Sequence, residues 1–291
     1  MADVALEARR PTAERAGGFW VVPPLIVLAA LFFYPLALIA RQALGGDENI
    51  LQLSRFAEVI SSRLFRDGLY HTVVIALSAT AGCLALGFML SLIIAFVPFP
   101  GAKLLGRLID TFIALPTFLV ALAFTFIYGS AGLFNASLMR LLDLPLPPID
   151  FLYSQWGVIL SEITVYTPFV MRPLLAAFSL IDQAQIEVAS SLGARPMRIV
   201  RQVILPAALP ALIAGGSLCL LLTVNEFGIV LFIGAKDVIT LPLLIYDKAI
   251  QEFDYTTACI IAVVNVALSL SLYAVYRAVV AHFGGRSAGV V

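Results

Sequence analysis

The sequence predicts an all-α integral membrane protein with six transmembrane helices, and three observations predict it. Hydrophobic residues make up 61% of the 291 positions and charged residues only 12%, more apolar surface than a water-soluble core can hide. The apolar residues fall into six long runs, at about 19–40, 70–98, 105–128, 156–179, 207–233 and 256–280. Exposed backbone amides are costly in hydrocarbon, so runs of this length are expected to cross as helices.

The first run follows Arg9, Arg10 and Arg15 and superficially imitates a secretory signal. At roughly 20 residues it is long enough to span a bilayer, longer than a signal core of ~7–15 residues. It shows no convincing small-x-small cleavage site, so it reads as a retained first helix. Six crossings place both termini on one side. That side gathers eleven of the 18 basic residues, among them Lys103, Arg107, Arg172, Arg195, Arg198, Arg201, Arg277 and Arg286. The other side holds Arg41, Arg55, Arg63, Arg66, Arg140, Lys236 and Lys248 with ten acids from Asp47 to Asp254. By the positive-inside bias both termini are expected in the cytoplasm. The expected organisation is a tail at 1–18, one six-helix domain at 19–282 and a tail at 283–291. No internal repeat relates the two halves.

Net charge is zero, which gives no support to a nucleic-acid partner. Cys83, Cys219 and Cys259 lie in apolar runs and read as buried small hydrophobes rather than metal ligands or a disulfide framework. His71 and His282 sit near the ends of apolar segments, far apart, and read as packing. A membrane enzyme would need clustered nucleophile, base or metal ligands. No catalytic, metal or cofactor site is expected.

One polar segment interrupts the apolar pattern, EVASSLGARPMRIVRQVILP at 187–206. Residues from Ala184 to Gly193 favour a short helix, Gly193 suits the turn that ends it, and Pro196 suits the first turn of a second helix. Arg198 and Arg201 share a face of that second helix. Pro206 and Pro210 follow where the fifth membrane helix begins. Two readings fit the first helix. Its small residues Ala189, Ser190 and Ser191 make it a plug for another protein's socket, or it is an interfacial helix whose arginines snorkel to head groups.

The spacing Glu187-x-Ala189-x3-Gly193, then Val203-x-Leu205-Pro206, resembles the EAA loop of permease subunits of ABC importers, with Val188 and Val203 as mild departures. The resemblance implies a type I ABC importer (MetI-like) permease fold in the bacterial inner membrane. It also implies a coupling loop at 182–206 in which Glu187, Ala189, Ser190, Leu192, Gly193, Leu205 and Pro206 serve an ATPase. The partners it implies are a cytoplasmic ABC ATPase dimer, a second permease subunit, identical or homologous, and a periplasmic substrate-binding protein. ATP hydrolysis is assigned to another chain, because no Gly-Lys dipeptide of a phosphate-binding loop occurs here.

Three acids fall within apolar runs: Asp110, Glu162 and Glu226. Charges there seldom face lipid. Glu226 lies in TVNEFG, which resembles the SLGEFG-type segment of sulfate, molybdate, ferric-iron and polyamine permeases, with Asn225 in place of a small residue. Asn225, Glu226, Phe227 and Glu162 are therefore candidates for the path or its gate, with helix packing or gating favoured over substrate contact for Glu226. Gly215, Gly216 and Ser217 permit close helix contact. Leu241–Phe253 reads as a short amphipathic helix on the outer membrane surface, for packing alone or to receive a binding protein.

The run from Thr240 to Asn265 is similar to permeases assigned to 2-aminoethylphosphonate uptake, which implies an organophosphonate substrate. Another anion, ferric iron or a polyamine fits the wider branch. An ion-coupled secondary transporter is the competing class, and it would want ionisable groups converging near mid-membrane, whereas these three acids lie on three helices.

Overall fold

The computed structural model describes residues 18–45, 53–234 and 238–284, and among them every regular element is helical. Six helical stretches are long and apolar enough to cross a membrane: Val22–Gly45, Arg63–Phe96, Thr117–Leu142, Gln155–Phe178, Pro196–Val224 and Tyr255–Val280. Both expected tails lie almost wholly outside the described residues.

We label the elements α1 (Val22–Gly45), α2 (Leu53–Ser61), α3 (Arg63–Phe96), α4 (Ala102–Ile113), α5 (Thr117–Tyr128), α6 (Leu133–Leu142), α7 (Gln155–Phe178), α8 (Gln183–Ser191), α9 (Pro196–Val224), α10 (Gly228–Ile233), α11 (Leu241–Tyr246) and α12 (Tyr255–Gly284). The core of the subunit is α3, α7 and α9 packed together, with α12 against α9 and α1 against α12. Phe178 at the end of α7 packs on Phe96 at the end of α3, so these two run parallel. Thr80 of α3 meets Thr223 near the end of α9, which therefore runs the opposite way. Tyr276 of α12 donates to Leu212 O of α9 while Asn265 meets Asn225, so α12 runs antiparallel to α9. The starts of α3, α7 and α12 thus share one end of the bundle, and the α7–α9 connection lies at the other.

Small residues set these approaches. A Cβ on Gly215 would come within 3.0 Å of Val170 Cα, and one on Gly216 within 1.9 Å of the Tyr276 hydroxyl. Cys83 and Cys219 are buried between α3 and α9, and Cys259 is half-buried. His71 Nδ1 lies 3.2 Å from Ile239 O, a packing role. The side chain of His282 lies outside the described ones.

Two expectations change. The third run was expected unbroken over 105–128, but Pro116 has no N–H to continue a helix, and the chain breaks there into α4 and α5. The fifth helix was expected to start near 207 after a separate short helix. Instead Pro196 opens a helix that continues to Val224 through a π turn at Val200–Ile204, a widening that accommodates Pro206 just beyond it. Gly228–Ile233, expected as the end of that span, is the separate α10. The 241–253 segment is amphipathic as expected: Leu241 and Leu244 of α11 are buried against Phe65 and Ile261, with Thr72 Oγ1 accepting the Leu241 N–H at 2.8 Å and Gly68 leaving room beneath it, while Ile250 and Phe253 are exposed.

Candidate functional site

The α7–α9 connection is built to be rigid and bare. Asp182 caps α8 by accepting the Ala184 N–H at 2.9 Å, the usual satisfaction of a helix's first donors. At the other end Gly193 takes φ +78°. Its N–H bonds Ser190 O at 2.9 Å and the Ala194 N–H bonds Ala189 O at 3.0 Å, the paired bonds of a Schellman turn. Arg195 then occupies the N-cap position of α9, its carbonyl accepting the Arg198 N–H at 2.8 Å, with Pro196 in the first turn. Ile181, Ile199 and Val200 tie both ends of the connection to the core.

What the rigid turn presents is apolar. Leu192 is 83% exposed, Met197 76% and Val188 59%. Glu187 and Ser190 are exposed beside them and Ala189 is half-buried, while Leu205 and Pro206 are half-buried within α9. The predicted coupling-loop residues therefore divide into an exposed group on and just after α8 and a supporting pair in α9.

The second group is a buried bracket near the other end of α9. Glu226 follows the last turn of α9, and its backbone N–H bonds Thr223 O at 3.2 Å. One carboxylate oxygen, Oε1, accepts from Ile229 N at 2.8 Å and from Thr117 Oγ1 at 3.2 Å. The other, Oε2, accepts the Tyr166 hydroxyl. One side chain thus caps α10 and joins α5, α7 and α9. Gly228 keeps the N-terminus of α10 open to it, since a Cβ there would meet Thr117 Oγ1 at 3.0 Å and Glu226 Oε1 at 3.4 Å. Phe227 packs on Tyr246 of α11 with ring centroids 4.9 Å apart and the planes tilted by 46°.

Glu162 is only 1% exposed, and its Oε2 has no hydrogen-bond partner. It sits one turn before Tyr166 on α7, within electrostatic reach of Glu226. The fold thus brings together two of the three membrane acids that sequence separates onto different helices. The side chain of Asp110 lies outside those described. Asn225 is exposed at the end of α9, accepts from Asn265 Nδ2 at 3.0 Å and donates to Leu221 O at 2.8 Å. Its amide is thereby tied to α12.

Sequence reasoning missed Tyr166, Thr117 and Asn265 as partners. A spacing of four between Glu162 and Tyr166 places them on one helical face, but nothing in the sequence names the helix opposite. Among the described residues no group of three or more His, Cys, Asp or Glu side chains could hold a metal ion.

A bundle of membrane helices around a parallel pair, carrying a capped apolar loop between its fourth and fifth crossings, is the architecture of an importer's membrane component. Residues 87–284 match the family model described as binding-protein-dependent transport system inner membrane component, and the chain belongs to that family. Among relatives it is 59% identical, over 98% of this chain and 100% of the other, to the protein of Salmonella typhimurium named "Putative 2-aminoethylphosphonate transport system permease protein PhnU". It is 28% identical, over 89% of this chain and 92% of the other, to CysT, the sulfate transport system permease protein of the same organism. Among solved structures it is similar to a bacterial ABC transporter that imports alginate, with TM-score 0.79, 17% identity and coverage of 92% and 96% of the two chains. It is also similar to the MetNI methionine ABC transporter in an inward-facing form, with TM-score 0.56, 18% identity and coverage of 73% and 93%. The fold is that of ABC importer permeases, and the chain is a multi-pass inner-membrane protein.

Proposed function

We propose that this chain forms half of the translocation path of an ATP-driven importer for 2-aminoethylphosphonate or a closely related organophosphonate. It pairs with a second permease subunit, receives substrate from a periplasmic binding protein and is driven by a separate pair of ATPase subunits. Both termini and α8 face the cytoplasm. The observation that carries the coupling half of this reading is the rigid turn with Val188, Leu192 and Met197 bare at its surface. A protein presenting that much apolar surface on a polar loop gains by covering it, and Glu187 beside it gives an incoming basic or polar group a partner. Ala189 allows close approach, and Gly193 fixes the exit angle.

Because α9 is continuous from Pro196 to Val224, displacement of the loop is carried along that helix to Glu226. There the bracket shares the movement with α5, α7 and α10. ATP biases two motor states through its different contacts in each, and the loop transmits that bias to the path. Glu226 acts as a joint for these helices, and Asn225, Phe227 and Glu162 belong to the same gate region.

The substrate assignment is supported by the high identity to PhnU over nearly the whole of both chains. Sulfate permeases of the same branch are far less similar. The test is uptake of labelled 2-aminoethylphosphonate by cells lacking this chain and complemented with it. Restored uptake that excess sulfate, ferric iron and polyamine fail to compete supports the reading, and failure to restore it rejects the substrate.

A further inference from the structure

At the end of the bundle opposite α8, a cavity of about 600 Å³ opens between α2, α3, α11 and α12. Its inner wall is apolar, with Val59, Phe65, Leu244 and Ile261. Its mouth carries Arg55, Glu58, Lys248 and Asp254. The size is that of small-molecule sites, which combine apolar walls with a few placed polar groups.

The charges at the mouth are two basic and two acidic. Arg55 Nη2 donates to Asp254 Oδ1 at 2.9 Å and Lys248 Nζ to Glu252 Oε2 at 2.6 Å. Each bond uses one donor of a group that has several, five in a guanidinium and three in an ammonium. Asp254 is occupied further by the Thr257 N–H at 3.1 Å, whereas Glu58 is an exposed carboxylate on the α2 side of the mouth. With Glu252 bonded to Lys248, three carboxylates stand by two cations, and an anion without a positive group of its own meets net repulsion here. A ligand with both signs matches the mouth at both ends.

We propose that this cavity binds a zwitterionic phosphorus oxyacid amine, with its phosphonate or phosphate oxygens at Arg55 and Lys248 and its ammonium at Glu58. The apolar wall takes the methylenes between or beyond the two charges. Two sources carry this chemistry, free 2-aminoethylphosphonate and the head group of phosphatidylethanolamine. Only the first of them touches the transport reading above.

The test uses the assembled importer, without its binding protein, in lipid nanodiscs. In one arm the discs contain phosphatidylglycerol alone, and binding of labelled 2-aminoethylphosphonate is compared with ethylphosphonate and ethylamine. In the other arm the discs contain equal parts of phosphatidylethanolamine and phosphatidylcholine, and native mass spectrometry reads which lipid is retained. Binding in the first arm identifies the free compound, and preferential retention of phosphatidylethanolamine in the second identifies the lipid.

In either case Lys248→Gln and Glu58→Gln should each weaken binding by about tenfold or more, in keeping with the strength of charge-assisted hydrogen bonds. Glu58 is exposed, so its variant tests the site without a folding defect, and the ligand comparison on the unaltered protein needs no variant. Absence of binding in both arms overturns the proposal. So does equal binding of ethylphosphonate in the first arm, or indifference to both variants. A protein that retains phosphatidylethanolamine but imports no 2-aminoethylphosphonate overturns the transport reading and leaves this one standing.

Discussion

Tyr166 on α7 gives its hydroxyl hydrogen bond to Glu226 at the end of α9, and this pair joins two of the three helices at the subunit's centre. The same carboxylate holds Ile229 N and Thr117 Oγ1, so its loss is felt on several elements at once. Glu226→Ala should lower stability by on the order of 2–5 kcal/mol, because each buried donor left without an acceptor costs ~1–3 kcal/mol. Glu226→Gln, which keeps one acceptor oxygen, should cost less. Thermal unfolding in detergent, followed with a thiol-reactive dye, ranks the two; equal midpoints for both variants and the parent would contradict the bracket.

Asp254 gives a pH dependence outside the membrane spans. Burial raises its pKa, but hydrogen bonds from the Thr257 side chain and backbone and the Arg55 guanidinium outweigh that, and the net shift is downward. A carboxylate with a depressed folded-state pKa contributes stability above its unfolded value, about 3.9, and loses it as pH falls through the folded value. The start of α12 should therefore loosen in acid below about pH 4. Asp254→Asn retains a good helix cap and should abolish this part of the acid loss. Hydrogen exchange at the first turn of α12 across that range would read it.

Gly216 faces the Tyr276 hydroxyl across α9 and α12 at a distance that admits no side chain. Gly216→Ala should push Tyr276 off Leu212 O and cost about 1–3 kcal/mol, the usual range for overpacking. Pairing it with Tyr276→Phe, which removes the hydroxyl, should recover part of the loss. A double-mutant cycle on unfolding midpoints measures the coupling, and strict additivity would argue against the contact.

The three thiols should differ in reactivity. Cys83 and Cys219 are buried, with the Cys83 thiol turned to the Ile163 carbonyl of α7 at 3.7 Å, and Cys259 is half-buried on α12. A membrane-permeant maleimide should label Cys259 first in the folded protein and the other two only after unfolding. Peptide mass spectrometry on a time course gives the order, and early labelling of Cys83 would mean that α3 and α9 part readily.

Much of this was legible in the sequence, for reasons that can be traced to particular residues. Six apolar runs give six crossings because the bilayer leaves a helix as the single way to satisfy the backbone. Gly193 and Pro196 mark the end of α8 and the start of α9 because turn and first-turn chemistry is local. Gly215 and Gly216 announced a close helix contact that is present. What was hidden depends on which helix lies opposite which. The Glu226 bracket spans 109 positions to Thr117 and 60 to Tyr166, and the Asn225–Asn265 amide pair spans 40. The alternation of apolar and charged residues at 241–253 made an amphipathic helix legible, but that Leu241 is buried on Phe65 and Ile261 depends on elements elsewhere in the chain.

The central claim is that the bare turn after α8 is the seat of the ATPase, and one measurement addresses it most directly: the amount of ATPase that co-purifies with Leu192→Asp relative to the unaltered chain. Leu192 is 83% exposed, so a charge there leaves the membrane helices intact and alters only the exposed face of the turn. The account predicts normal amounts of this chain in the membrane with the ATPase reduced about tenfold or more, the effect of ~1.4 kcal/mol or more of lost contact. An undiminished yield of ATPase, with transport intact, would contradict it.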